Sequence, residues 1–249
     1  MKNVAVRFLS SLMVALPVVG GVAGCAPSVA PIDVMEGCPE MPLRGPEEFA
    51  SAPQEAMIDD FETGDLKLNP IAGRMGSWVG VSSTPAATWS AEASTKCVAR
   101  GLHSGHLTST TPMPNYPVNF NAVLIEPFME ANGWDASAYR GFSFWIAAGP
   151  TALPPIETPI GVTTVDTVAG GGICSAPGGV CGDYYAIPQK DRIQLPRNWT
   201  RHVIMFDDLV QYGFGVPQVP VLNRSKLVSI MIWPQAQFDI WIDDVRFEP

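Results

Sequence analysis

The 249-residue chain carries 15 Lys and Arg against 24 Asp and Glu, for a net charge of −9, and has no cluster of basic residues. That balance excludes nucleic acid as an expected partner. Charged residues are only 16% of the total while 23 Gly, 24 Pro and seven Trp punctuate the chain, a composition that argues against a helical bundle and for one large β domain.

The amino terminus reads as a targeting segment. Lys2 and Arg7 form a basic start, and Phe8 to Val19 an apolar run that is short for a membrane span and broken at Pro17. It ends in Val22-Ala23-Gly24-Cys25, which resembles the lipobox of bacterial lipoproteins. The resemblance implies cleavage after Gly24 and lipidation of Cys25. With Ala26 rather than Asp after the cysteine, it further implies the outer membrane. Lys2 and Arg7 are the only charges in residues 1–24, so loss of that segment leaves a still more acidic chain. No later stretch is apolar enough to span a bilayer, so the remainder is expected to be a soluble domain tethered through lipid.

Residues 25–55 are rich in proline, including Pro27, Pro31, Pro39, Pro42, Pro46 and Pro53, and are expected to be that tether. Besides Cys25 there are four cysteines: Cys38, Cys97, Cys174 and Cys181. An even number in an exported chain predicts two disulfides, for which three pairings exist. Cys174 and Cys181 bracket the flexible turn Ser-Ala-Pro-Gly-Gly-Val and are expected to pair, which leaves Cys38 for Cys97. Such a bond would pin the middle of the tether to the domain. No pair has the C-x-x-C spacing of a zinc site.

Residues 56–249 are expected to be the folded domain. Short segments that alternate, or run in β-branched and aromatic residues, cover 77–81, 101–109, 119–128, 141–147, 159–168, 199–206, 227–233 and 238–247. Asp207 to Gln211 predicts one helical turn. About eight or nine strands with no long amphipathic helix predict an antiparallel two-sheet β-sandwich, with a jelly roll as its topology. No repeat of solenoid or propeller period occurs.

Two stretches, Met57-Ile58-Asp59-Asp60-Phe61-Glu62 and Trp241-Ile242-Asp243-Asp244-Val245, place carboxylates in apolar strand company at opposite ends of the domain. A carboxylate there is costly unless paired, hydrogen-bonded or bound to metal, so a cation joining the first and last strands is expected. Side chains alternate along a strand, so Asp243 and Asp244 can share a site only across a bulge.

Five motifs occur in order: Ile58-Asp59-Asp60-Phe61-Glu62, Gly73-Arg74-Met75-Gly76-Ser77-Trp78, Tyr139 to Trp145, Trp199 to Leu209, and Trp241 to Val245. Together they resemble the galactose-binding-like jelly rolls that include family-11 carbohydrate-binding modules and complex I assembly factor domains. The likeness spans roughly residues 57–248. It implies carbohydrate binding and a structural calcium ion near the junction of first and last strands, with Asp60, Glu62 and Asp243 or Asp244 as ligands, in keeping with the oxygen ligands calcium takes. The segment from Gly170 through Cys174 to Cys181-Gly182-Asp183-Tyr184-Tyr185 also resembles a loop of exported bacterial members, except that Tyr184 stands where His is common.

Sugar binding needs aromatic faces and a few hydroxyl partners. Trp78, Trp134, Tyr184, Tyr185 and Trp233 are the candidates, and Trp78, Tyr184 and Tyr185 are the ones expected to line a concave face. Trp145 and Trp241 are assigned to packing. For catalysis there is neither G-x-S-x-G nor H-E-x-x-H. His103 and His106 point to opposite sides of an extended chain, and no carboxylate pair is marked out for glycoside hydrolysis. The resulting reading is a non-catalytic, lipid-anchored envelope protein that binds polysaccharide. Its rival is a structural or adhesion lipoprotein that contacts other proteins and binds no sugar.

Overall fold

The computed structural model describes residues 37–40, 53–82, 89–109, 118–124, 133–152, 157–170, 172–219, 221–234 and 237–249. The expected signal segment, Cys25, most of the tether and the end of the strand expected over 119–128 lie outside them. The described strands are β1 (Met57–Asp59), β2 (Trp78–Ser82), β3 (Trp89–Ser94), β4 (Ser104–Ser109), β5 (Val118–Val123), β6 (Gly141–Ala148) and β7 (Glu157–Thr158). They continue with β8 (Ile160–Thr164), β9 (Tyr185–Ala186), β10 (Ile193–Gln194), β11 (Thr200–Met205), β12 (Val210–Gln211), β13 (Leu227–Ile232) and β14 (Phe238–Glu248). Short 3-10 turns are the helical elements among the described residues.

The strands form an antiparallel two-sheet sandwich. One sheet has the order β11-β6-β14-β4-β3, with β1 paired to β14 beyond the end of β4. The other has the order β12-β9-β8-β13-β5-β2, and β7 and β10 form a small ribbon. Between the sheets, alternate residues interdigitate: Leu107, Phe142, Phe144, Ile146, Ile240 and Ile242 from the first, Trp78, Ile160, Val162, Tyr185, Ile230 and Ile232 from the second. The alternation in Gly141-Phe-Ser-Phe-Trp-Ile-Ala-Ala is what places Phe142, Phe144 and Ile146 together on that inner face.

Yet β6 is buried along its whole length, outer face included. Trp145 and Ala147 there join Trp199, Trp241, Cys97 and Ala99 in a second apolar cluster, packed against Cys38. The Cys38–Cys97 disulfide brings that cover, and the Trp199 N–H donates to the Glu40 carbonyl at 3.0 Å. Gly37–Glu40 of the expected tether therefore belong to the fold. Burying an aromatic side chain contributes on the order of 2 kcal/mol, so the covered tryptophans extend the core to a third layer. The second disulfide, Cys174–Cys181, closes its short loop as expected.

Candidate functional site

The acidic stretches form a clasp built on backbone N–H groups and arginine side chains. A register shift between Asp243 and Arg246, with Asp244 at φ 48°, makes the bulge that lets both aspartates reach Arg100. Asp243 Oδ2 accepts the N–H groups of Ala99 (2.9 Å) and Arg100 (2.8 Å), and its Oδ1 accepts that of Asp244. Asp244 Oδ2 lies 3.2 Å from the Arg246 guanidinium and 4.0 Å from that of Arg100. Glu62 Oε1 accepts the N–H groups of Leu102 (2.7 Å) and His103 (2.9 Å). Asp60 Oδ1 accepts from Glu62 N and the Asn69 amide.

The expected calcium ligands Asp60, Glu62, Asp243 and Asp244 thus do not fit a calcium ion. Among the described residues no three His, Cys, Asp or Glu side chains gather at metal-binding spacing. Arg100 lines a cleft with Asp60 and Glu62 and lies 4.0 Å from Asp244, so a positive charge stands among the carboxylates and disfavours a divalent ion there. The backbone amides of residues 99–103, held from one side by Glu62 and from the other by Asp243, join the first strand to the last.

Asp59, which the sequence did not single out, is fully buried between the sheets. It accepts the Phe61 N–H at 3.0 Å and the Trp78 indole N–H at 2.6 Å. Burial pushes its carboxyl up to about 7 against those donors. The same cause raises Asp243 to about 8 against its three backbone donors.

That bond also corrects the reading of Trp78. The indole is 3% exposed, stacked on Phe61 in the core, so no ligand reaches its faces. Tyr185 is 1% exposed and inward-facing; its hydroxyl donates to the Val219 carbonyl at 2.8 Å, and burial raises its phenol to about 12. Trp134 faces the buried Arg74, whose guanidinium lies 4.7 Å from the ring centroid and donates to the carbonyls of Glu55 and Met57. Inter-sheet packing claims the rings of Trp78 and Tyr185, and Arg74 covers one face of the half-buried Trp134.

Tyr184 is different. It alternates to the outer face of the second sheet, where it packs with Ala186, Met231 and Trp233. It is only 4% exposed because other rings cover it. Tyr212 stacks on it at 4.9 Å between centroids, Trp233 meets it edge-on at 5.0 Å and Phe214 at 6.0 Å. Tyr212 and Phe214 are themselves 51% and 48% exposed. Sequence reasoning passed over both. The available signal was Gln211-Tyr-Gly-Phe-Gly-Val-Pro, where aromatics alternate with glycines in a turn-rich stretch that has no strand partner of its own pattern.

Register extends this face across the sheet. Val210 and Tyr212 lie opposite Ala186 and Tyr184, Ala186 opposite Gly161, and Gly161 and Thr163 opposite Met231 and Ser229. Thr163 and Ser229 hydroxyls bond each other at 2.7 Å. None of these positions carries charge. The Trp233 indole N–H is buried without a hydrogen-bond partner among the described residues, a state that native structures rarely leave unanswered. The face therefore offers the exposed rings of Tyr212 and Phe214, with the half-buried Thr163 and Trp233 beside them and no formal charge at these register positions.

No protein-family model matches the chain, and no curated protein is significantly similar to it. Among solved structures, the fold matches the family 11 carbohydrate-binding module of the cellulosomal cellulase Lic26A-Cel5E of Clostridium thermocellum. That likeness has a TM-score of 0.52 at 17% identity, over 77% of this chain and 92% of that one. A family 11 module from the same organism, in complex with a β-1,3-1,4-mixed-linked tetrasaccharide, matches with a TM-score of 0.53 at 16% identity, over 78% and 94%. The protein shares the β-sandwich of the family 11 modules.

Proposed function

We propose that the protein is a non-catalytic, lipid-anchored component of the bacterial envelope that binds a neutral polysaccharide on the outer face of its second sheet. The observation that carries the reading is the uncharged aromatic cluster in which the exposed rings of Tyr212 and Phe214 stand over Tyr184 and Trp233. Pyranose rings present apolar C–H faces that stack on such rings, and their hydroxyls pair with donors and acceptors between them. A uronic or sulfated glycan would bring anions to a face whose described register positions carry no cation, on a chain already acidic. The fold it shares with modules of which one holds a tetrasaccharide supports the same reading.

The anchor proposed at Cys25 fits this arrangement. With Cys38 bonded to Cys97, residues 26–37 alone would separate the lipid from the first sheet, a reach of about 40 Å at full extension.

Affinity electrophoresis on mixed-linkage β-glucan, xylan, galactomannan and polygalacturonate tests the proposal. Retardation on a neutral glycan, weakened about 100-fold but still measurable in Tyr212→Ala/Phe214→Ala, is the expected result. A wild-type protein that no glycan retards, with a protein partner recovered by crosslinking through Tyr212 or Phe214, would sink it in favour of the adhesion reading.

A further inference from the structure

Asp183 is buried, 1% exposed, beneath the aromatic face, and no role described so far uses it. A buried carboxylate persists when enough donors satisfy it. Its partners among the described residues are neutral and belong almost entirely to one loop. Oδ2 accepts the Gln211 amide at 2.9 Å, Gly213 N at 3.1 Å and Gly215 N at 2.9 Å, while Oδ1 accepts Tyr184 N at 3.0 Å.

The loop is built to wrap that group. Gly213 and Gly215 turn their amides inward to the carboxylate, and the residues between and before them, Phe214 and Tyr212, carry the exposed rings. Gly213 sits at φ +110°, which side-chain-bearing residues rarely adopt. A Cβ on Gly215 would lie 2.6 Å from Asp183 Cβ. Gln211 closes the loop, since its amide N–H donates to Asp183 while its carbonyl accepts Val219 N. The remaining anchors also come from the Asp183 segment. Val180 and Val216 exchange both backbone hydrogen bonds, Tyr212 N donates to Tyr184 O, and Cys181 holds the segment through Cys174.

We propose that Asp183 is a positioning residue for ligand binding: its carboxylate holds Gln211–Gly215 in the one conformation that presents Tyr212 and Phe214 as a stacking surface. The proposal rests on the carbohydrate reading of this face. A carboxylate suits the task because it only accepts, with lone pairs enough for four converging N–H groups. An asparagine would turn an NH2 toward them.

The test is a mutant cycle with two readouts, run at a temperature where every variant is folded. The variants are Asp183→Asn, Tyr212→Ala/Phe214→Ala and the triple combination. Hydrogen exchange follows the Gly213 and Gly215 amides, and affinity electrophoresis follows binding to the neutral glycan that retards the wild type most. Asp183→Asn is expected to speed exchange at those two amides at least 10-fold while β6 and β13 stay protected. It should weaken binding at least 10-fold, yet weaken it no further once the two rings are gone.

Unchanged exchange overturns the proposal. So does a loss of affinity that persists undiminished in the ring-less background, since Asp183 would then act otherwise than through the rings. If no glycan retards the wild type, the carbohydrate reading fails by itself, and the exchange rates still decide whether Asp183 holds the loop. Should Asp183→Asn not fold, Gly213→Ala, strained at its φ with the carboxylate intact, replaces it in the same cycle.

Discussion

The two outer faces of the sandwich are made of similar residues and meet opposite fates. On the first sheet, Trp145, Trp199 and Trp241 lie under Gly37–Glu40 and the loop around Cys97, held there by a disulfide of sequence separation 59. On the second, Tyr184 and Trp233 lie under Tyr212 and Phe214, whose own outer surfaces are open. A disulfide of separation 7 stands beside that face without covering it. Aromatic content therefore does not mark a binding surface. What differs is whether a distant segment returns to cover the rings, and at Cys38 it does.

Breaking the cover should produce the largest effect. Loop-closure entropy makes the Cys38–Cys97 bond worth about 4 kcal/mol and the Cys174–Cys181 bond about 2 kcal/mol. Cys38→Ser/Cys97→Ser is thus expected to lower the denaturant midpoint far more than Cys174→Ser/Cys181→Ser does. Below its midpoint it should bind glycan normally. Equal losses of stability would remove the distinction drawn between the two faces.

The buried carboxyls give the next effect. Asp59 and Asp243 hold their protons in the folded state at pH values where the unfolded chain has released them. Their stabilisation is complete below about pH 4 and is lost as pH rises through about 7 for Asp59 and about 8 for Asp243. Chemical denaturation between pH 4 and 9 should show stability declining by about 2 kcal/mol or more. Asp243→Asn should flatten the upper part of that decline. A pH-independent profile would show that the backbone donors outweigh burial.

On the open face, each exposed ring is expected to contribute on the order of 1–2 kcal/mol to binding and less to folding, since Tyr212 and Phe214 are half open while they cover Tyr184. Tyr212→Ala and Phe214→Ala should each weaken glycan retention about 10-fold while lowering the thermal midpoint by no more than about 3 °C. A matched loss of stability would mean that these rings serve packing, like those of the first sheet. The smallest effect is expected from chelation. With Arg100 among the acidic residues, EDTA should shift the thermal midpoint by less than about 1 °C, and a larger drop would restore calcium to the clasp.

Much of the sandwich was legible in the chain. The strands β6, β13 and β14 are long and strongly patterned, and they lie at the centres of their sheets. The misses were β3, whose Trp-Ser-Ala-Glu-Ala-Ser is too rich in small residues to stand out, and the two-residue β7, β9, β10 and β12, the last at the end of the stretch read as a helical turn, where the 3-10 turn spans Phe206–Asp208. Strands so short owe their existence to the neighbours they pair with. The acidic stretches join the chain's ends as the sequence suggests, but nothing local announces that residues 99–103 will supply the N–H groups that Glu62 and Asp243 accept.

Sequence by itself determined the β class, the two disulfide pairs and the closeness of the first and last strands, all of which follow from local pattern, composition or simple pairing. Tertiary structure alone decided which aromatics are free. Trp78 and Tyr185 became core, Trp134 became a partner of Arg74, and Tyr212 and Phe214 became the open surface. The reason is physical. A ring's exposure depends on what lies across from it, and at these positions that neighbour is tens of residues away, whether Asp59 for Trp78 or Asp183 for the loop that carries Tyr212.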